Sequence, residues 1–249
     1  MRRFWLLCLV CFLSGLAWGQ GRLEEITRRG VLRVGTTGDY PPFSLLQDGH
    51  YDGLDIRLAR LAAERLGVRI EFVPTRWDSL LEDLSADRFD LAVGGITRTL
   101  ARARRAGFTR PLLTVGKCPL VRRSDVARLA SLRQIDRPEV RVAVNPGGTN
   151  ESYARQHLKR AQIVVIANNL LIPAMIARGE VDVLITDSVE AERASRRDTH
   201  LAVASKPWTR ETLAWLTPRD DQAFLNWLNL FLEEAEGDGT LERFRRETW

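Results

Sequence analysis

The chain is poor in the residues that build rigid chemical frameworks, with 3 cysteines and 3 histidines among 249 residues. Cys8 and Cys11 sit in an apolar N-terminal run that reads as a removable leader, which leaves Cys118 alone. The mature chain can therefore form no internal disulfide, even in an oxidising compartment. Cys118, beside Lys117, reads as a partly buried small residue, with a reactive thiol as the competing reading. His50, His157 and His200 are scattered, and no Cys/His/Asp cluster has metal-ligand spacing, so neither a metal nor a cofactor is expected. Charge of one sign is also scarce: 37 basic residues face 32 acidic ones, and losing Arg2 and Arg3 lowers the net charge of +5 by two. With no basic stripe interleaved with aromatics, nucleic acid is not the expected partner.

The N-terminus carries an address. Arg2 and Arg3 form a basic n-region, Phe4 to Leu16 an apolar core, and Ala17-Trp18-Gly19 offers small residues before a cut near Gln20. This is the pattern of a secretory signal peptide over residues 1–19, too short for a comfortable membrane span. The mature protein is expected to be periplasmic and soluble, with no membrane contact after cleavage.

From Val31 onward, short apolar runs alternate with amphipathic stretches. Val31–Gly35, Val68–Val73 and Phe89–Val93 read as strands, separated by helices carrying Leu54, Leu58, Leu61, Ala62 and Leu66, then Leu80, Leu81 and Leu84. A turn dense in Gly and Pro, Thr36–Phe43, follows the first strand. The second half repeats the plan: strands at Val140–Val144, Ile163–Ile166 and Val181–Ile185, with helices over Glu151–Arg160 and Leu170–Arg178. Strand–helix alternation implies α/β lobes with mostly parallel sheets flanked by helices. Leu112–Val121 is a plausible crossing strand between the lobes, and Thr212–Leu216 a return. A final helix over Asp220–Glu236 would pack Phe224, Trp227, Leu228 and Phe231 inward. The expected division is 20–117 plus 207–249 for one lobe and 118–206 for the other, with a cleft between two hinge crossings.

The stretch Val142–Glu151 concentrates the chemistry. An apolar run ends in Asn145-Pro146-Gly147-Gly148, and a capping Thr149 opens a helix. The glycines allow a backbone to approach a ligand closely, and the helix start offers unpaired N–H groups to an anion. In open α/β sheets, ligands sit at the carboxyl ends of strands. There the sequence places Asp39, Tyr40 and Phe43, then Trp77, then Thr97 and Arg102. The second half adds Asn145–Thr149, then Asn168 and Asn169, then Thr186, Asp187 and Glu190. Such a set suits a small polar organic acid with an apolar body. Each member has a plainer reading: Trp77 as core packing, Arg102 as a solvated helix charge, Asp39 as a turn residue, Lys117 as an exposed charge on the crossing strand.

Gly35–Phe43, Gly94-Gly95-Ile96-Thr97 with Ala101-Arg102-Ala103-Arg104, and Phe108-Thr109-Arg110-Pro111 resemble family 3 periplasmic solute-binding proteins, from about Gly30 to the C-terminus. The resemblance implies a two-lobed type II binding-protein fold. It further implies that Arg102 grips a ligand carboxylate, Thr97 assists and Asp187 holds an α-ammonium. One enzyme branch of that fold, the cyclohexadienyl dehydratases acting on prephenate and L-arogenate, is similar in more detail. The matching pieces are Gly38-Asp39-Tyr40, Pro74-Thr75-Arg76-Trp77, Asp87-Arg88-Phe89-Asp90, Gly116-Lys117, Asn145–Glu151 and Thr186–Glu190. Two departures stand out: Arg110-Pro111-Leu112-Leu113 lacks the aromatic usual after that proline, and Cys118 replaces a more ordinary polar residue.

The branch implies a general acid in a dry cleft, contributing about 10²–10⁴-fold, with no metal or cofactor. By resemblance and by its place at a strand's carboxyl end, Glu190 is the expected acid, raised toward neutrality by burial. Lys117 and Asn145 would position the ring carboxylate and leaving group. Arg102, Thr97 and Thr149 would anchor the side-chain carboxylate, and Trp77 would pack on the ring. Asp39, Gly148 and Asp187 would complete the wall, with Asp187 favouring the ammonium of arogenate. Glu151 competes as the acid, although a first-turn Glu is usually a cap. The branch also suggests a homo-oligomer. The alternatives are a non-catalytic amino-acid-binding protein of a transporter and, less strongly, a periplasmic sensory module.

Overall fold

Runs of β-branched and apolar residues buried on both faces mark strands that lie between helix layers. The computed structural model describes residues 21–249; the expected leader lies outside the described residues. The first sheet runs Arg69–Pro74, Val31–Thr36, Leu91–Thr97, Glu211–Pro218, Ala106–Phe108, with Leu113–Val115 also paired to Glu211–Pro218. Its first three strands are parallel, and Glu211–Pro218 joins antiparallel. The second sheet repeats this: Gln162–Val165, Arg141–Val144 and Val183–Asp187 are parallel, and Lys117–Arg122 and Leu201–Val203 close it antiparallel. Helices Leu54–Arg65 and Gln222–Gly237 bury Leu58, Ala62, Phe224 and Leu228 against the first sheet. The fold is the two-lobed type II binding-protein α/β architecture, with a core in each lobe.

The crossings lie side by side. Gly116 alone separates Leu113–Val115 in the first sheet from Lys117–Arg122 in the second. A Cβ at Gly116 would come 2.0 Å from the Thr209 carbonyl on the returning segment, so only glycine fits. There the Lys117 N–H donates to Thr209 Oγ1 at 2.9 Å, and the Trp208 N–H to the Lys117 carbonyl at 2.8 Å. The single crossing strand read over Leu112–Val121 is thus two strands, broken where the chain changes lobe.

Other elements differ from the pattern reading. The turn after the first strand is a meander of Asp39–Tyr40, Ser44–Gln47 and His50–Asp52, whose second turn places Asp48 and Gly49 at positive φ. The third strand does not stop at Val93 but runs on through Gly94-Gly95 to Thr97. The buried Asp55 makes this possible, since its Oδ2 accepts the N–H groups of both glycines at 2.8 and 2.9 Å. Thr149 is the first helical residue of Thr149–His157 and not its cap: Gly148 holds the cap position without a side-chain bond. Helices Arg22–Arg29 and Thr240–Thr248, which bury Ile26 and Leu241, are additional to the pattern reading.

Candidate functional site

The strand ends of the two sheets face each other, and the side chains there meet across the cleft. The Tyr40 hydroxyl donates to Asp187 Oδ2 at 2.6 Å, Thr97 Oγ1 lies 3.1 Å from Thr149 Oγ1, and the Asn169 amide reaches the Asp39 carbonyl at 3.2 Å. Each pair joins one lobe to the other, so the lobes are closed. The inner space is lined by Tyr40, Trp77, Thr97, Arg102, Asn145, Gly148, Thr149, Asn150 and Asp187 and measures about 10 Å³. That is room for no more than one water. A ligand of amino-acid size therefore enters only as the lobes part, breaking those three contacts. Outside it, a cavity of about 430 Å³ is lined by Asp39, Trp77, Asp78, Pro146 and Asn168. Trp77 separates the two, its indole N–H donating to Asp39 Oδ1 at 3.0 Å and its ring meeting Tyr40 edge-on at 5.6 Å.

Arg102 is a cation in wait. Helix Leu100–Ala103, capped by the Thr99 side chain, brings it to the floor of the cleft. Its guanidinium donates to the Thr97 carbonyl at 2.9 Å and, among the described residues, forms no ion pair with a carboxylate, while burial lowers its pKa to about 10 against the pull of the Asp187 charge. A buried guanidinium with spare donors is a seat for a carboxylate. Thr97, Thr149 and the N-terminus of helix Thr149–His157 surround that seat.

Two further groups lie around Asp187. Lys117 is 1% exposed; its Nζ lies 2.8 Å from Asp187 Oδ1, 3.1 Å from Thr149 Oγ1 and 3.3 Å from Glu211 Oε2. Lys117 is not an exposed charge on a crossing strand but the centre of a buried ion cluster. Glu190 lies one layer behind Asp187 and is not among the residues lining the inner space. Its Oε1 accepts the Asn169 amide at 2.7 Å, and its other oxygen meets the Thr186 hydroxyl, which is held by Asn150 at 3.0 Å. Burial raises Glu190 to about 7, against the pull of those two donors and with the push of Asp187 and Asp39. Asp39 is raised by burial as well, and Tyr40 is held far above its ordinary value.

Seven of the ten residues singled out in the sequence line the inner space. Lys117 touches two of them, Asp39 lies with Trp77 at the rim, and Glu190 stands behind. Gly147, not Gly148, has the positive φ and the close approach: a Cβ there would lie 2.4 Å from Asp78 Cα across the cleft. Glu151 accepts the Gly147 N–H at 2.7 Å and bonds Arg155, the cap-like role expected of a first-turn glutamate. Cys118 is fully buried, which pushes its thiol up to about 12 and makes it an inert core residue. The sequence reading gave Asn150, Asn169 and Thr186 no role, although all three stood in the quoted motifs or strand ends. Glu211 carried no local signal beyond opening the returning strand.

A family model describing bacterial extracellular solute-binding proteins, family 3, matches residues 32–249. The chain belongs to that family, and with it has a periplasmic address. It is 43% identical to the cyclohexadienyl dehydratase of Pseudomonas aeruginosa over 98% of this chain and 92% of the relative. Among solved structures, an ancestral amino acid-binding protein, a precursor of cyclohexadienyl dehydratase, superposes with a TM-score of 0.85 at 35% identity. That match covers 92% of this chain and 99% of the other. A putative binding component of an ABC transporter from Wolinella succinogenes, complexed with lysine, gives 0.82 at 30% identity, over 88% and 95% of the two chains. Of these three, one is named as an enzyme and two are named for binding, one of them holding lysine.

Proposed function

We propose that the protein is a periplasmic cyclohexadienyl dehydratase, converting prephenate to phenylpyruvate or L-arogenate to L-phenylalanine. The observation that carries this reading is Glu190, a buried carboxyl that burial pushes up to about 7, standing behind the wall of the ligand cleft. A protein that only binds has no use for a protonatable acid there, and the fold alone does not distinguish the two roles.

The reaction suits these residues. The ring carboxylate leaves as CO₂, its bonding pair flows into the ring, and the ring hydroxyl departs with a proton as water. Aromatisation supplies the driving force, so the protein has to hold the dianion and deliver one proton. Arg102, helped by Thr97 and Thr149, grips the side-chain carboxylate, while Lys117 and Asn145 position the ring carboxylate and leaving group. Trp77 packs on the ring, with Asp39, Gly148 and Asp187 as wall. Glu190, in its protonated form, gives its proton to the leaving hydroxyl and is thereby ionised. Its return to the neutral form completes the cycle. The lobes that close on the ligand are proposed as 20–117 with 207–249, and 118–206.

A second reading, a non-catalytic amino-acid-binding protein of a transporter, has its own support. The two superposed structures are an amino acid-binding protein and a lysine complex. Glu190 also stands behind the inner wall and not on it. Purified protein with prephenate at neutral pH, followed through phenylpyruvate absorbance beside Glu190→Gln, separates the readings. Turnover lost in the variant supports the enzyme and its acid. Turnover that survives moves the acid elsewhere, to Glu151 first. No turnover, with an amino acid raising the melting temperature, sinks the enzyme reading.

A further inference from the structure

The carboxylate that would receive a ligand's ammonium is already taken by the chain itself. Asp187 Oδ1 accepts from Lys117 Nζ at 2.8 Å and Oδ2 from the Tyr40 hydroxyl at 2.6 Å. The Lys117–Asp187 pair is 1% and 2% exposed, so water does not screen it. Lys117 has little freedom to yield. Its backbone is tied to Thr209 on the returning segment, and the Thr209 hydroxyl also donates to Glu211 Oε1 at 2.8 Å. The other Glu211 oxygen, buried and without a hydrogen bond, lies 3.3 Å from the same ammonium. Swinging Lys117 out would leave the buried Asp187 and the partly buried Glu211 without their shared ammonium, which is unfavourable. A second ammonium from a ligand would have to share Asp187 with a fixed like charge.

We propose that Lys117 is a specificity-determining residue, an internal ammonium standing where a ligand's would, so that the cleft takes α-keto carboxylates in preference to α-amino acids. This rests on the placement of the ligand's carboxylate at Arg102 made above, and it selects prephenate over L-arogenate. A keto oxygen only accepts hydrogen bonds, and the groups around Asp187 are rich in donors: Lys117 Nζ, Thr149 Oγ1 and the Arg102 guanidinium. An α-ammonium only donates, and the one carboxylate of the lining, Asp187, offers it an oxygen only when the Tyr40 contact breaks, beside the fixed charge of Lys117. Asp187, expected from the sequence to favour the ammonium of arogenate, serves Lys117 in this proposal.

The test compares phenylpyruvate with L-phenylalanine by titration calorimetry on the mature protein and on Lys117→Met. The wild type should bind phenylpyruvate tighter by about tenfold or more, and the variant, with Asp187 and Glu211 freed, should invert the order. Wild-type protein that binds L-phenylalanine as tightly as phenylpyruvate, or more so, overturns the proposal. Should Lys117→Met fail to fold, Asp187→Asn decides. An unchanged order of the two ligands agrees with the proposal, and selective loss of L-phenylalanine overturns it by making Asp187 the ammonium seat. The order is read from binding alone. A protein without prephenate turnover can therefore still pass, and an active dehydratase can still fail.

Discussion

Asn169 and Glu190 stand 21 residues apart, yet the Asn169 amide donates to Glu190 Oε1 at 2.7 Å and to the backbone carbonyl of Asp39 at 3.2 Å. One side-chain amide thus ties the buried Glu190 carboxyl to the backbone beside Asp39. Desolvation is the largest cause of the upward shift of Glu190, and Asn169 is one of the two donors that oppose it.

The first prediction concerns activity. Glu190→Gln keeps the shape and should lower kcat with prephenate by about 10²–10⁴-fold. The wild-type rate should fall tenfold per unit as pH rises above about 7, where Glu190 ionises. A flat profile between pH 6 and 8.5 would assign the proton to another group.

The same residue should cost stability. Its pKa rises from 4.5 unfolded to about 7 folded, so the protonated form is the one the fold favours. The contribution is present in full below about pH 4.5 and is lost as pH rises through about 7, by about 3 kcal/mol in all. Glu190→Gln should accordingly be more stable than wild type at pH 8 and nearly equal to it at pH 4.5. Urea melts at the two pH values check this, and an equal difference at both would refute it.

Arg102 should separate binding from stability. Replacing it with Met removes the cation expected to take the ligand carboxylate and should raise KM or Kd by about 10–100-fold. The melting temperature should hold or rise, since burial already pulls the guanidinium down to about 10. Lys should rescue poorly, lacking the fork that meets a carboxylate in two bonds. A Met variant with unchanged affinity would displace Arg102 from the binding role.

Gly147→Ala tests closure. The added Cβ would fall 2.4 Å from Asp78 Cα in the opposite lobe, at a φ of +78°. The backbone strain alone should cost about 1 kcal/mol. The clash adds a penalty paid only in the closed form, so ligand affinity should drop further than stability does. Small-angle scattering with saturating ligand should show a larger radius of gyration than wild type. Equal radii would place the closing surface elsewhere.

Much of this was legible in the chain itself, for a physical reason. Strands such as Val31–Thr36 and Arg141–Val144 are set by local apolar runs, and helix Leu54–Arg65 by its 3.6-residue period. The rule that ligands meet strand carboxyl ends then places Asp39, Trp77, Thr97, Asn145 and Asp187 near one cleft without any coordinates. The family follows from motifs carried along nearly the whole chain. What the sequence could not determine is which of these groups bond each other. Lys117 meets Asp187 from 70 residues away and Tyr40 meets it from 147, while Glu211 joins from a strand whose pattern speaks only of apolar burial. The Thr149 hydroxyl, read as a helix cap, instead turns to Thr97 and Lys117. Such pairings are decided by how two separately folded sheets come together. Local pattern determines each lobe, because burial and periodicity are properties of neighbouring residues. The charge state and occupancy of the cleft belong to the tertiary structure, because they depend on which distant side chains share the same water-poor space.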